Sequence, residues 1–220
     1  MKKSRDSRFL KKILTDTEIG FVNLSKNPDT ALWSFWACKE AAYKVVKKHD
    51  SENSFLPSRW PVDIDLSKTE HPVPTTNRNN GHSVNNGGRV HQPEISYRKG
   101  KVIVPGKEAV YVRLFSHPSY VHCLGADSLA TLDNLRWGID ILPQGEDRQN
   151  GNSSLFARQC LIRSLAGYFH LNEGDVEIRR MKNEGELQPP CVFVSGREKA
   201  VDVSLSHDGK FIAYAFNETR

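Results

Sequence analysis

Two segments of this chain read alike, and that repetition limits the folds open to it more than any other feature. Val112-Arg113-Leu114-Phe115-Ser116-His117-Pro118-Ser119-Tyr120-Val121 parallels Val203-Ser204-Leu205-Ser206-His207-Asp208-Gly209-Lys210-Phe211-Ile212, apart from a one-residue offset. Each is a strand pattern, a Ser-His pair, turn residues and a second strand pattern. Each also follows a long helical pattern, over residues 28–48 in one case and 155–171 in the other. A helix followed by antiparallel strands, present twice, predicts an α+β chain of two pseudo-repeated halves, 1–126 and 127–220. The length of 220 residues suffices for two such halves with cores of their own.

The first long helix carries the most unusual chemistry. Pro28-Asp29 opens it, with Asp29 as the expected cap, and Lys44, Lys47 and Lys48 make its end basic. At helical pitch Trp36, Glu40 and Lys44 share one face, and Lys39 lies one step round. A Glu-Lys pair at this spacing usually belongs to a solvated surface. Here Leu32, Trp33, Phe35, Ala37, Ala41, Ala42, Tyr43, Val45 and Val46 leave little of the helix polar, and a charge on such a helix needs a partner or a task. The spacing alone leaves both readings open.

Other elements follow from local pattern. Thr15 and Glu18 form a capping box for a helix ahead of the long one. Residues 62–66, 95–97, 101–104, 109–114, 119–124 and 136–142 read as strands, with Arg98-Lys99-Gly100 and Pro105-Gly106 as turns. Ser153-Ser154 caps the second long helix. Strands follow at 175–181, 192–194, 201–205 and 211–216, the last two joined by an Asp208-Gly209 turn. Residues 67–93 are rich in Asn, Gly, Pro and His and poor in large apolar residues, which predicts a mobile insertion. His71, His82 and His91 are read as part of it rather than as metal ligands.

Composition narrows the function classes. No apolar run approaches a membrane span, and the basic N-terminus lacks the apolar core of a signal peptide, so a cytoplasmic protein without a membrane partner is expected. Cys38, Cys123, Cys160 and Cys191 are far apart, without Cys-x-x-Cys or zinc-ligand spacing, and are expected as buried free thiols. The 31 Lys and Arg against 26 Asp and Glu give a net charge of +5, which suits an acidic partner. No nucleic-acid-binding motif accompanies that charge, and no nucleic-acid partner is expected.

Trp36-x-x-Lys39-Glu40-Ala41-x-x-Lys44 resembles the W-x-x-K-E-A-x-x-K signature of the 4'-phosphopantetheinyl transferases, of the holo-acyl-carrier-protein synthase and Sfp types, at all five specified positions. The Arg8-Phe9-Leu10 segment with Thr15 and Glu18 is similar to what precedes that signature in the family. Residues 153–216 resemble the N-terminal half of an Sfp-type enzyme, ending in Ser204, Ser206, His207 and Gly209, and residues 7–126 resemble the C-terminal half. The halves thus stand in permuted order. The resemblance implies a pseudo-dimeric monomer, with a homo-oligomer as an alternative, that moves the phosphopantetheine arm of coenzyme A to a serine of an acyl or peptidyl carrier protein, with Mg2+.

It implies Glu40 as metal ligand and candidate base and Lys44 at the transferred phosphate. Lys39 is implied at the diphosphate, and Ser206 and His207 at coenzyme A phosphates. Arg158 and Arg163 are candidates for the nucleotide 3'-phosphate. Two departures stand out. The family's G-x-D strand, whose Asp binds the metal with the Glu, does not precede the signature here. Gly138-Ile139-Asp140 stands before the other helix, so Asp140 reads as a relocated metal ligand, a ligand supplied by a second subunit, or an ordinary strand-end residue. Gln188 replaces a Lys common in the family. A transferase-like protein that only binds coenzyme A or a carrier protein is the alternative.

Overall fold

A computed structural model describes residues 3–50, 54–66, 71–72, 96–142, 152–183 and 186–219. The expected insertion at 67–93 lies outside them, apart from His71 and Pro72. The chain is mixed α and β with antiparallel sheets, and its described residues fall into two compact units that meet in sequence at Asp133 and Asn134.

The first unit opens with three helices, α1 (Ser7–Ile13), α2 (Asp16–Leu24) and α3 (Pro28–His49). The capping box is formed at α2: the Thr15 hydroxyl accepts from the Glu18 backbone N–H, and the Glu18 carboxylate accepts from the Thr15 N–H. α3 starts differently from expectation. Its cap is Asn27, which makes no side-chain cap bond, and Asp29 lies inside the first turn. Pro28 at the first helical position and the Asp29 charge near the positive end of the helix dipole support that start.

Strands β1 (Val62–Asp63), β2 (His71–Pro72), β3 (Ser96–Val102), β4 (Val110–His117) and β5 (Tyr120–Ala126) form one antiparallel sheet. Its order is β1-β3-β4-β5, with β2 also on β3. β3 is one continuous strand, where a turn at Arg98-Lys99-Gly100 was expected. Gly100 serves a close approach instead: a Cβ there would lie 2.6 Å from the Asp63 carbonyl oxygen and 2.8 Å from Ile64 Cβ. The short helix α4 (Leu129–Asn134) follows β5, and its Asp133 receives Lys99 Nζ at 2.8 Å and also pairs with the buried Arg113.

α3 changes partners along its length. Ala31, Leu32 and Phe35 pack with Leu10, Ile13, Leu14 and Val22 of the helical end. Cys38, Ala42 and Val46 pack on Val102, Val110, Val112 and Leu114 of the sheet. Burial of both stripes supplies most of the stability of a helix in water.

The second unit contains β6 (Arg136–Ile141), α5 (Asn152–Phe169), β7 (Val176–Arg179), β8 (Lys182–Asn183), β9 (Glu186–Leu187), β10 (Cys191–Val194), β11 (Arg197–Lys199), β12 (Val201–Asp208) and β13 (Phe211–Glu218). The strands form two sheets of three, β12-β13-β6 and β11-β10-β7, with β8 and β9 paired apart. Ala157, Cys160, Leu161, Leu165 and Ala166 of α5 enclose a core with Val176, Ile178, Val192, Val203, Ile212 and Phe216. Asp208 pairs with Phe211, so the hairpin turn is Gly209-Lys210, one residue later than expected.

Candidate functional site

The three charges in the middle of α3 have separate fates. Lys39 is 0 % exposed, and its ammonium donates to Glu18 Oε2 at 2.6 Å, to the Ile13 carbonyl at 3.0 Å and to the Pro57 carbonyl at 2.8 Å. An ammonium has three N–H donors, and all are used within the protein. Lys39, expected at a bound diphosphate, is therefore a structural cation. Burial lowers its pKa, and the Glu18 carboxylate opposes that shift. Glu18 is 4 % exposed and accepts from the Val62 N–H through its second oxygen at 2.9 Å. The capping box made Glu18 visible in the sequence; its second role depends on a residue far along the chain and carried no local signal.

Glu40 and Lys44 lie one and five residues further and reach the surface. Their side chains are 45 % and 35 % exposed, and Lys44 Nζ lies 3.7 Å from Glu40 Oε1. Trp36, on the same face, packs on Phe55 with ring centroids 6.0 Å apart. Nearby on β5, the His122 imidazole is held neutral, its pKa pushed down to about 4 by burial and then by the Lys44 charge. No sequence signal marked His122.

The depth of α3 on the sheet is set by backbone contact. A Cβ on Gly125 of β5 would lie 3.2 Å from the Ala41 carbonyl carbon and oxygen, so a strand glycine lets the helix approach at the residue next to Glu40.

The remaining candidates belong to the second unit. Asp140 is on β6, and burial first and then this carboxylate's charge push the Cys160 thiol of α5 up to about 12. The Tyr214 ring lies over Gly138, where a Cβ would be 2.4 Å from the hydroxyl oxygen. Arg163 is exposed and pairs with Glu173 at 3.3 Å, while Arg158 is half-buried. His207 stands opposite Ile212, which stands opposite Asp140, so these three point to one face of the sheet; Ser206, opposite Ala213, points to the other. As neighbours in one strand, Ser206 and His207 do not converge. Gln188 is fixed through its backbone, donating to the Met181 carbonyl and accepting from Arg180 Nε, each at 2.9 Å.

Among the described residues no group of three or more His, Cys, Asp or Glu gathers as a metal site. Mg2+ is commonly held by one or two carboxylates together with substrate phosphates, and Glu40, a half-buried carboxylate that reaches the surface beside an ammonium, has the hard oxygens for that arrangement. The four cysteines are free thiols, Cys38 and Cys160 buried and Cys123 and Cys191 half-buried. Cys38 and Cys123 lie 3.7 Å apart between α3 and β5. The chain matches no family model, no curated protein and no solved structure, so the reading of this site stands on its residues and their placement.

Proposed function

We propose that the chain is a Mg2+-dependent transferase that moves the 4'-phosphopantetheine arm of coenzyme A to a serine of an acyl or peptidyl carrier protein. The observation that carries this reading is the half-buried, surface-reaching Glu40–Lys44 pair on a helix whose other faces are packed, in a sequence that resembles the transferase signature at every specified position.

In this mechanism the carrier serine oxygen attacks the phosphorus that bears pantetheine. A new O–P bond forms, the phosphoanhydride bond breaks, and adenosine 3',5'-bisphosphate leaves with the electron pair. Lys44 holds the transferring phosphate and offsets its charge, as phosphoryl transfer requires. Glu40 accepts the serine proton, directly or through one water, or would hold the metal through its carboxylate. Mg2+, when bound, would neutralise diphosphate charge. Lys39 keeps the helix in place and touches no substrate. The net charge of +5 and the basic end of α3 suit the acidic surface of a carrier.

A second reading is a protein that binds coenzyme A or a carrier without transfer, and the placement of Asp140 beside the Cys160 thiol, among no gathered group of metal-ligating side chains in the described residues, favours it. One experiment separates the two. An apo acyl carrier protein incubated with this protein, coenzyme A and Mg2+ should gain one phosphopantetheine by intact mass. Glu40→Gln should slow that gain roughly 100-fold or more. Coenzyme A binding without gain on any of several carriers would replace the transferase reading with the second.

A further inference from the structure

Lys39 is a buried charge that the transfer mechanism does not use, and it sits where α3 changes partners. N-terminal to it the helix packs on α1 and α2; from Cys38 onward it packs on the sheet. Its ammonium joins four pieces of chain: the end of α1 through the Ile13 carbonyl, α2 through Glu18, α3 itself, and the turn at 57–59 through the Pro57 carbonyl. Glu18 extends the tie to β1 through the Val62 N–H and back to its own helix start through the Thr15 N–H. Every donor of the ammonium and both carboxylate oxygens are engaged.

Apolar side chains of similar volume can replace a buried ion pair with little loss of stability, and such pairs are best attested as devices that fix register. Apolar stripes alone tolerate a modest rotation of a helix, whereas a five-point polar tie does not, because each broken bond leaves a buried polar group unpaired. Glu40 follows Lys39 directly, about 100° round the helix, and Lys44 shares the Glu40 face.

We propose that the Glu18–Lys39 pair acts as a positioning clasp that fixes the rotation of α3 and so holds Glu40 and Lys44 in their working orientation. Glu18 and Lys39 are positioning residues; neither meets substrate. The clasp rests on the transferase reading for its purpose but not for its geometry.

Two variants test it, each read by kinetics and by crystal structure. The neutral double variant Glu18→Gln/Lys39→Met removes both charges together, and Glu18→Asp keeps the pair while withdrawing the carboxylate by one methylene. Misplacement of about 1 Å can cost on the order of 100-fold. The expected result is kcat lowered about tenfold or more in the double variant and several-fold in Glu18→Asp, with KM for coenzyme A and carrier within about twofold. The variant structures should show the Glu40 carboxylate displaced about the helix axis. Folded variants with kcat within twofold of the parent, or with Glu40 unmoved, would overturn the clasp. Should the double variant fail to fold, Glu18→Asp decides alone. Should the parent protein transfer nothing, the transferase reading falls, and displacement or retention of Glu40 in the Glu18→Asp structure still decides the clasp.

Discussion

The two units place a helix against an antiparallel sheet in different ways. In the first, α3 touches backbone: Gly125 admits the Ala41 carbonyl group, and a buried ion pair fixes the helix at Lys39. In the second, side chains separate α5 from β6 and β13: the Tyr214 ring covers Gly138, and Ala157, Cys160, Leu161 and Leu165 pack on Ile212 and Phe216. The first arrangement leaves Glu40 and Lys44 on a helix with little freedom to turn. The second leaves side-chain packing and an exposed Arg163 already paired with Glu173. The same local pattern therefore builds one rigid presenting face and one ordinary core. The sheets differ as well. β13 lies between β12 and β6, whereas β5 ends its sheet among the described residues.

The sharpest way to break this comparison is to remove the charge from one helix. Lys39→Met leaves the Glu18 carboxylate buried without its cation and should lower unfolding free energy by about 3–5 kcal/mol. Cys160→Ala in the second unit removes only a partly satisfied thiol and should cost less than half as much, as read by urea unfolding. Equal losses would show that the two helices are held alike.

A second test uses pH. The folded His122 imidazole has a pKa near 4, below its usual 6.5, so unfolding takes up a proton between those values. Stability from this group is present in full above pH 6.5 and is lost as pH falls towards 4, by up to about 3 kcal/mol. Thermal unfolding of His122→Phe should lack that slope, and a slope equal to the parent's would remove His122 from the account.

Gly125→Ala sharpens the contrast in packing. The added methyl meets backbone, which cannot swing aside, and should cost about 1–3 kcal/mol while shifting α3. The smallest effect is expected at the surface. Glu40→Gln breaks a half-buried, solvent-reached pair at 3.7 Å and should change unfolding free energy by less than about 0.5 kcal/mol. A large loss there would make Glu40 a structural residue.

The sequence revealed features whose causes are local. The Thr15–Glu18 box spans four residues, and α3 announced itself by apolar spacing and Pro28. Exposure of Glu40 and burial of Lys39 were not legible, because the two are adjacent and the choice between them depends on Glu18, Ile13 and Pro57. Gly100 looked like a turn because glycine serves both turns and close approaches, and only the position of Asp63 separates these uses. The opposed directions of Ser206 and His207 follow from β12 continuing through Asp208, past the expected strand end. The placement of Asp140 beside Cys160 depends on how α5 lies over β6, which no spacing encodes.

The placement of the free thiols has a consequence for observing this molecule in solution. Cys38 lies fully buried under α3, and Cys160 is buried under α5, one in each unit. A thiol in such a place meets an alkylating reagent only while its helix is lifted. The chain thus carries a native reporter in each unit, and peptide mapping after timed alkylation would give separate opening rates for the two helices without any introduced label.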